Sequence, residues 1–359
     1  MNDRDQTSPI LIVGPSWVGD MVMAASLVEA VRRRCPDRPI DMLAPPSSLP
    51  IATLIDGIDR TIPLALGHGK LGIVARWRLG RSLKNRGYGS AIILPRAFKA
   101  AVVPFAAAIP ERIGYAAEGR SLLLTDARED SARKTARTID RFVALAGPRG
   151  EPPPSPRPVL AAPRRPLPDL ETRLGIDLAS KSVALCPGAE YGPAKRWPAA
   201  KFAELARIAH DGGYRVRLFG GPKDRPITAE IARMSGIALD DLAGRTNLVE
   251  AAALLSIADV VVSNDTGLMH VAGALDRPLV VLYGSSSEKL TPPTAPIAES
   301  LSLDLACRPC FQRVCPLGTL ACLEGIPAGA VFAALRRVAD AALSNADPSA
   351  LSTRGPRGG

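Results

Sequence analysis

The chain has 359 residues, 47% of them hydrophobic and 4% aromatic, with a net charge of +10. That length exceeds what a single hydrophobic core usually spans; the apolar share excludes wholesale disorder, and the scarcity of aromatics argues against a base-stacking platform for single-stranded nucleic acid. Residues 1–150 carry 22 Lys and Arg against 14 Asp and Glu, a difference of +8, so an anionic partner is expected there (nucleic acid, phosphorylated glycan or acidic membrane surface), the plainer alternative being a well-solvated, arginine-rich face.

The N-terminus is mixed in charge and leads straight into a strand, unlike a signal peptide, and no apolar run approaches the roughly 20 residues of a spanning helix, so a soluble cytoplasmic protein is expected. Pro9–Val13 reads as a buried strand and Gly14–Asp20 as a glycine-containing loop. Met21–Arg34 has helical spacing, with three arginines at its C-terminal end that suit the macrodipole, and Pro36 stops it. Ile40–Ala44 is the next strand, which completes a βαβ unit and predicts a parallel sheet with right-handed crossovers. Ser90–Leu94 adds a strand, and Arg133–Ala146 reads as a closing helix.

Residues 147–168 are rich in proline and read as a semi-rigid linker between a domain of residues 1–146 and one of 169–343. In the second domain Ser182–Cys186 is a strand, Pro187–Trp197 a loop and Pro198–Asp211 a helix with proline at its start. Arg215–Phe219, ending in Gly220-Gly221, then Asp259–Ser263 and Leu279–Tyr283 read as strands. A last helix, about Ala328–Leu343, precedes a tail, 344–359, expected to be disordered. Two such α/β halves are expected to face each other across a cleft, with ligands at the carboxyl ends of the strands.

Six cysteines fall into two classes. Cys35 and Cys186 are isolated and read as small core residues. Cys307, Cys310, Cys315 and Cys322 form C-x2-C-x4-C-x6-C, which in a cytoplasmic chain suggests a zinc or iron–sulfur site, with reduced thiols or a redox disulfide as alternatives.

The most informative segment is Ser263-Asn264-Asp265-Thr266-Gly267-Leu268-Met269-His270, set between an apolar strand and a small-residue helix. A helix N-terminus with free N–H groups and short hydroxyls binds phosphate well, so a phosphorylated small molecule is expected; a capped turn is the alternative. With Gly14–Asp20, Gly188–Arg196 and Gly220–Asp224 it makes four loops at strand carboxyl ends.

Three of these loops resemble the ADP-heptose–lipopolysaccharide heptosyltransferases of glycosyltransferase family 9, most closely those that add the second heptose of the inner core. The matching residues are Gly14-x-x-x-x-Gly19-Asp20, the long run from Pro187 to Pro198, and Asn264 to His270, in order over roughly residues 9–295. The resemblance implies two Rossmann-like domains in a glycosyltransferase B fold. It also implies an inverting transfer of heptose from ADP-heptose to the first heptose of the lipid-linked core, with no cofactor, no nucleic-acid partner and peripheral contact with the inner membrane surface. Related acceptor choices (heptosyltransferase I or III) and a basic nucleic-acid-binding protein remain as alternatives, and the lack of G-x-G-x-x-G in the first loop speaks against a dehydrogenase.

Such a reaction needs a base, a stabilised diphosphate leaving group and an oriented acceptor. Asp20 suits the base, and the family places its base there, with Gly19 beside it on the donor-binding side; capping of the following helix is the alternative for Asp20. Lys195, with Arg196 beside it on the loop bearing Glu190 and Tyr191, suits neutralisation of the diphosphate. Asp265, Thr266 and Gly267 offer donors to the same group, and His270 lies one turn further in. Asp224 is placed to accept from ribose hydroxyls, and Thr246 corresponds to a family position lining the adenine pocket. Arg112 and Arg120, flanking Gly114, could bind the anionic acceptor.

Overall fold

A computed structural model describes residues 7–66, 70–162 and 170–346. The chain divides into two compact units, Met1–Ala161 with Lys289–Pro292, and Ala162–Glu288 with Pro293–Gly359.

The first unit runs β1 (Ile10–Val13), α1 (Val18–Arg34), β2 (Ile40–Ala44), α2 (Leu49–Ala52), β3 (Arg60–Pro63), α3 (Ile73–Leu83), β4 (Ser90–Ile93), α4 (Val102–Ala106), β5 (Glu111–Tyr115), β6 (Asp126–Arg128) and α5 (Thr138–Val143). The second runs α6 (Leu170–Leu174), β7 (Ser182–Cys186), α7 (Ala199–Asp211), β8 (Arg215–Leu218), α8 (Arg225–Ser235), β9 (Asp240–Asp241), α9 (Leu248–Ser256), β10 (Val260–Asn264), α10 (Gly267–Ala274), β11 (Leu279–Leu282), β12 (Ala298–Leu301), α11 (Ala321–Glu324) and α12 (Ala328–Ala346).

Each unit holds a six-stranded sheet, ordered β3-β2-β1-β4-β5-β6 in the first and β12-β11-β10-β7-β8-β9 in the second. The pairings are parallel, as β1 with β2 and β4 or β7 with β8 and β10. Counted from its own first strand, each sheet has the order 3-2-1-4-5-6 of a dinucleotide-binding fold, so the expectation of two Rossmann-like α/β domains holds. The order reverses between β1 and β4, and again between β7 and β10.

The central strands are buried along their whole length, as sheets covered by helices on both faces require. Arg32 closes α1 by donating to the carbonyls of Pro36, Arg38 and Gly57, which uses the basic C-terminal turn read from sequence. The closing helix expected over 133–146 is interrupted: extended backbone at Arg137 (φ −60°, ψ 148°) separates the 3-10 turn Ser131–Lys134 from α5. In the proline-rich stretch Leu160 is buried and Ala161 N–H donates to Leu54 O (2.7 Å), so residues up to Ala161 pack in the first unit. Residues 163–169 of that stretch, and the tail from 347, lie outside the described residues.

Trp197 anchors the core of the second unit. It is fully buried, meets Phe202 edge-on at 4.9 Å, and donates its indole N–H to Ile326 O at 3.1 Å. Trp197→Ala is expected to cost about 3–5 kcal/mol by opening a cavity and leaving that carbonyl unpaired. Hydrogen exchange resolved by peptide should show protection lost in β7–β11 and retained in β1–β6; equal loss in both sheets would contradict this.

Candidate active site

The reversal point of the second sheet collects the richest chemistry. The loop after β7 and the turn after β10 leave neighbouring parallel strands, in register from Val260 opposite Val183 to Ser263 opposite Cys186. There Lys195 Nζ lies 2.5 Å from Asp265 Oδ2, with side-chain exposures of 18% and 4%. Asn264 joins the two segments: its Oδ1 accepts the Trp197 N–H (3.1 Å) and its Nδ2 donates to Pro187 O (2.7 Å). The sequence reading quoted Asn264 within the motif but gave it no role; a buried amide at the last position of a strand is the signal that could have found it.

Thr266 is the N-cap of α10, extended at φ −140°, and its side chain makes no capping bond to the helix. The first N–H groups of α10, from Gly267 on, therefore keep their donor capacity at an end with partial positive charge. His270, one turn in, is buried, and its Nδ1 has no hydrogen-bond partner among the described residues. Burial pulls its pKa below the ordinary 6.5, with the Asp265 carboxylate opposing and the Lys195 ammonium reinforcing the shift, so the imidazole is neutral at pH 7.

The lysine loop is braced by the cysteine-bearing segment. Tyr191 donates its hydroxyl to Phe311 O (2.7 Å), Ala194 N–H donates to Arg313 O (3.1 Å), and Lys195 Nζ and the Arg313 guanidinium each lie 5.2 Å from the Tyr191 ring centroid. A Cβ at Gly192 would sit 2.4 Å from Arg313 O, so only glycine allows this approach. The four cysteines are free thiols, and among the described residues no group of three or more His, Cys, Asp or Glu is placed to hold a metal. Backbone N–H groups of Leu320, Leu317, Gly318 and Thr319 lower the Cys315 pKa, while burial and the neighbouring Cys307 and Cys315 raise that of Cys322.

Other expected residues of this unit have partners already. Glu190 pairs with Lys223 at 2.7 Å, both well exposed. Arg196 donates to Ala189 O at 3.2 Å, and its buried Nε has no partner among the described residues. Asp224 accepts the Gly221 N–H at 2.9 Å and packs so tightly that a Cβ at Gly188 would lie 2.5 Å from its carboxylate. The ribose-facing reading of Asp224 thus shares that carboxylate with a turn. Thr246 is half-buried, directly before the Asn247–Glu250 capping box that opens α9.

In the first unit α1 begins at Val18, so Gly19 and Asp20 lie in its first turn rather than in the preceding loop. Trp17 holds the N-cap position, which leaves Asp20 half-exposed where a carboxylate meets the positive end of the helix. Arg120 lies at the same sheet edge, past the end of β5. It is fully buried, donates to Tyr115 O (2.8 Å) and Pro95 O, and its Nη2 has no partner among the described residues. Burial, helped by nearby Arg96, lowers its pKa to about 10, so it stays cationic at pH 7. Arg112 is not brought to this edge. As the second residue of β5 it sits at the strand's other end, and its guanidinium is committed to Leu123 O and Ile109 O.

A family model described as glycosyltransferase family 9 (heptosyltransferase) matches residues 76–321. The chain is 41% identical over 312 residues to the lipopolysaccharide heptosyltransferase 2 of Salmonella typhimurium, covering 82% of this chain and 88% of the relative. The Escherichia coli lipopolysaccharide heptosyltransferase 2 matches with the same identity and coverage. Among solved structures, the E. coli ADP-heptose lps heptosyltransferase II superposes with a TM-score of 0.82 at 35% identity, covering 93% of this chain and 99% of that one. A glycosyltransferase family 9 protein from Veillonella parvula shares the fold at a TM-score of 0.82 and 19% identity, covering 95% of this chain and 99% of that one.

The neutral, buried His270 links folding to pH. Its folded pKa lies below the unfolded value, so the unfolded chain takes up the proton first as pH falls. The contribution is therefore complete above about pH 6.5 and is lost as pH drops below it. Denaturant midpoints between about pH 7 and 5 should fall more steeply for the parent protein than for His270→Gln. Equal slopes would mean that the imidazole titrates normally.

Proposed function

The chain belongs to glycosyltransferase family 9, the heptosyltransferases, and from that premise we propose how its residues divide the reaction. The enzyme moves L-glycero-D-manno-heptose from ADP-heptose to the first heptose of the lipopolysaccharide inner core, and its two Rossmann-like sheets are those of the glycosyltransferase B fold. The second unit holds ADP-heptose and the first presents the base and binds the acceptor. The lipid-linked acceptor brings the protein to the cytoplasmic face of the inner membrane as a peripheral enzyme.

In this reading the Asp20 carboxylate removes the proton from the acceptor hydroxyl as that oxygen attacks the anomeric carbon. The bond from that carbon to the diphosphate oxygen breaks, and its electron pair leaves with ADP. Attack from the face opposite the leaving group inverts the anomeric centre. Lys195, the N–H groups opening α10 and the Thr266 hydroxyl stabilise the negative charge that builds on the diphosphate. His270, neutral and buried beside Asp265, offers a hydrogen bond without adding a second cation. Glu190, Tyr191, Arg196, Asp224 and Thr246 line the donor side, and Arg120 meets the acceptor's anionic groups.

The observation that carries this reading is the Lys195–Asp265 pair at the point of strand reversal, where a parallel sheet of this order takes its ligand. A lysine whose ammonium rests on a carboxylate, with 18% of the side chain open, can bind a second anion. The deciding assay supplies ADP-heptose with core acceptors bearing no, one or two heptoses. Turnover is expected with the one-heptose acceptor alone; a preference for the heptose-free acceptor would reassign the enzyme to an earlier transfer.

Two substitutions test the residue roles. Asp20→Asn keeps shape and removes basicity, and should cut turnover by about two to four orders of magnitude while ADP binding by calorimetry is unchanged. Turnover near that of the parent would sink the assignment. Lys195→Met should slow the same reaction and also weaken ADP binding, because the diphosphate loses its cation. If Lys195→Met binds ADP as tightly as the parent, the clamp lies elsewhere.

A further inference from the structure

From Arg60 to Pro110 the chain carries nine Lys and Arg and not one Asp or Glu. Within this run α3 places its residues against the usual amphipathic order. Arg76 is buried, its Nε donating to Leu71 O at 2.9 Å, whereas Val74 and Trp77 stand 63% and 45% exposed beside exposed Arg78 and Arg81. Gly80 lets α4 approach so closely that a Cβ there would lie 2.5 Å from Val103 O. The two helices thus form one platform, on which the Trp77 ring meets the half-exposed Phe105 ring at 6.1 Å. Leu71, 59% exposed, extends it toward the N-terminal end of α3. There Lys99, from the turn after β4, donates to Lys70 O at 3.2 Å, so this end of the platform reaches the strand carboxyl edge where Asp20 also lies.

We propose that the outer face of α3, with Phe105 of α4 and the surrounding lysines and arginines, is the surface by which the protein lies on an anionic lipid bilayer. The charge distribution selects this occupant. A polyanion such as nucleic acid would satisfy the arginines but leave Leu71, Val74 and Trp77 in water. A protein interface of this character concentrates apolar residues at its centre and keeps charge to the rim, whereas here apolar and cationic side chains share one helical face. A bilayer interface takes both at once: aromatic and aliphatic groups enter at headgroup depth, while arginine and lysine stems snorkel to the lipid phosphates. No helix among the described residues is long and apolar enough to span, so the contact is in-plane. A platform running to the carboxyl edge of the first sheet would hold that edge near acceptors anchored in the same bilayer. This last step rests on the lipid-linked acceptor proposed above; binding to the bilayer does not.

The test uses the full chain and vesicles of phosphatidylcholine alone or mixed with phosphatidylglycerol, sedimented without ADP-heptose. The protein should partition onto the mixed vesicles, be released by salt, and ignore the neutral ones. Arg78→Ala with Arg81→Ala should weaken partitioning roughly fivefold per charge removed, and Trp77→Ser should abolish the quenching of tryptophan emission by brominated lipid. Both variants should keep the parent's melting temperature and its turnover on a soluble, delipidated core oligosaccharide, and lose turnover on vesicle-embedded acceptor. Equal binding to neutral and anionic vesicles, unchanged binding by the variants, or a dimer broken by Trp77→Ser with vesicle binding intact would each overturn the proposal. Absence of heptose transfer to either acceptor, with vesicle binding as expected, would instead fall on the proposed function.

Discussion

Where a parallel sheet reverses its strand order, the loops leaving two adjacent strands turn to opposite faces, and the space between them has no neighbouring loop to fill it. In the second unit that space lies between β7 and β10, and the chain fills it with a paired charge and a bonded amide. Asp265 is 4% exposed and meets the Lys195 ammonium at 2.5 Å, so the two buried charges face each other directly. Losing one member of such a pair strands the other, at about 3–5 kcal/mol, although the intact pair need not stabilise the fold beyond an apolar replacement. The pair is therefore fixed in place by the cost of breaking it, which is the condition for a rigid anion site: the cation is positioned before any ligand arrives.

Rigidity of the lysine also depends on residues far along the chain. Phe311 and Arg313 hold Tyr191 and Ala194 through their carbonyls, and Gly192 lets the two segments touch. The cysteine-bearing stretch is thus a wall of the Lys195 loop, not an appendage following the second sheet.

What could be read from sequence followed burial. β1, β2, β7 and β10 were legible because strands covered on both faces are buried throughout and are built mostly of apolar residues. The edge strands were not: Arg60–Pro63 buries one residue well, Asp240–Asp241 is acidic, and Ala298–Leu301 is half-exposed. α3 escaped because its buried arginine and exposed tryptophan invert the helical pattern. The start of α1 was read three residues late, since Gly19 and Asp20 favour loops by propensity, yet Asp20 in a first turn is stabilised by the macrodipole. The segment Ser263–His270 was legible as a strand, turn and helix start, but the bond of Asn264 across 77 residues to Pro187 was not, because no local pattern encodes a partner that distant. Arg112 and Arg120 looked alike from composition. Only strand direction separates them, the first entering β5 and the second lying beyond its end.

Arg120 also shows how the first unit accommodates its charge. Asp130 is shared by Arg96 (3.1 Å) and Arg141 (2.7 Å), so one buried carboxylate already serves two guanidinium groups. Arg120 receives backbone carbonyls and the longer-range attraction of Glu118, against the repulsion of Arg96. A cation buried without a paired carboxylate, and with one nitrogen lacking an acceptor, raises the free energy of the unliganded state. An anionic group reaching that nitrogen would remove the penalty and add a charge-assisted hydrogen bond in a low-dielectric setting. In the acceptor role proposed for Arg120, affinity for phosphate or carboxylate comes from a deficit built into the folded chain. A surface arginine, already solvated, would have little of that deficit to offer.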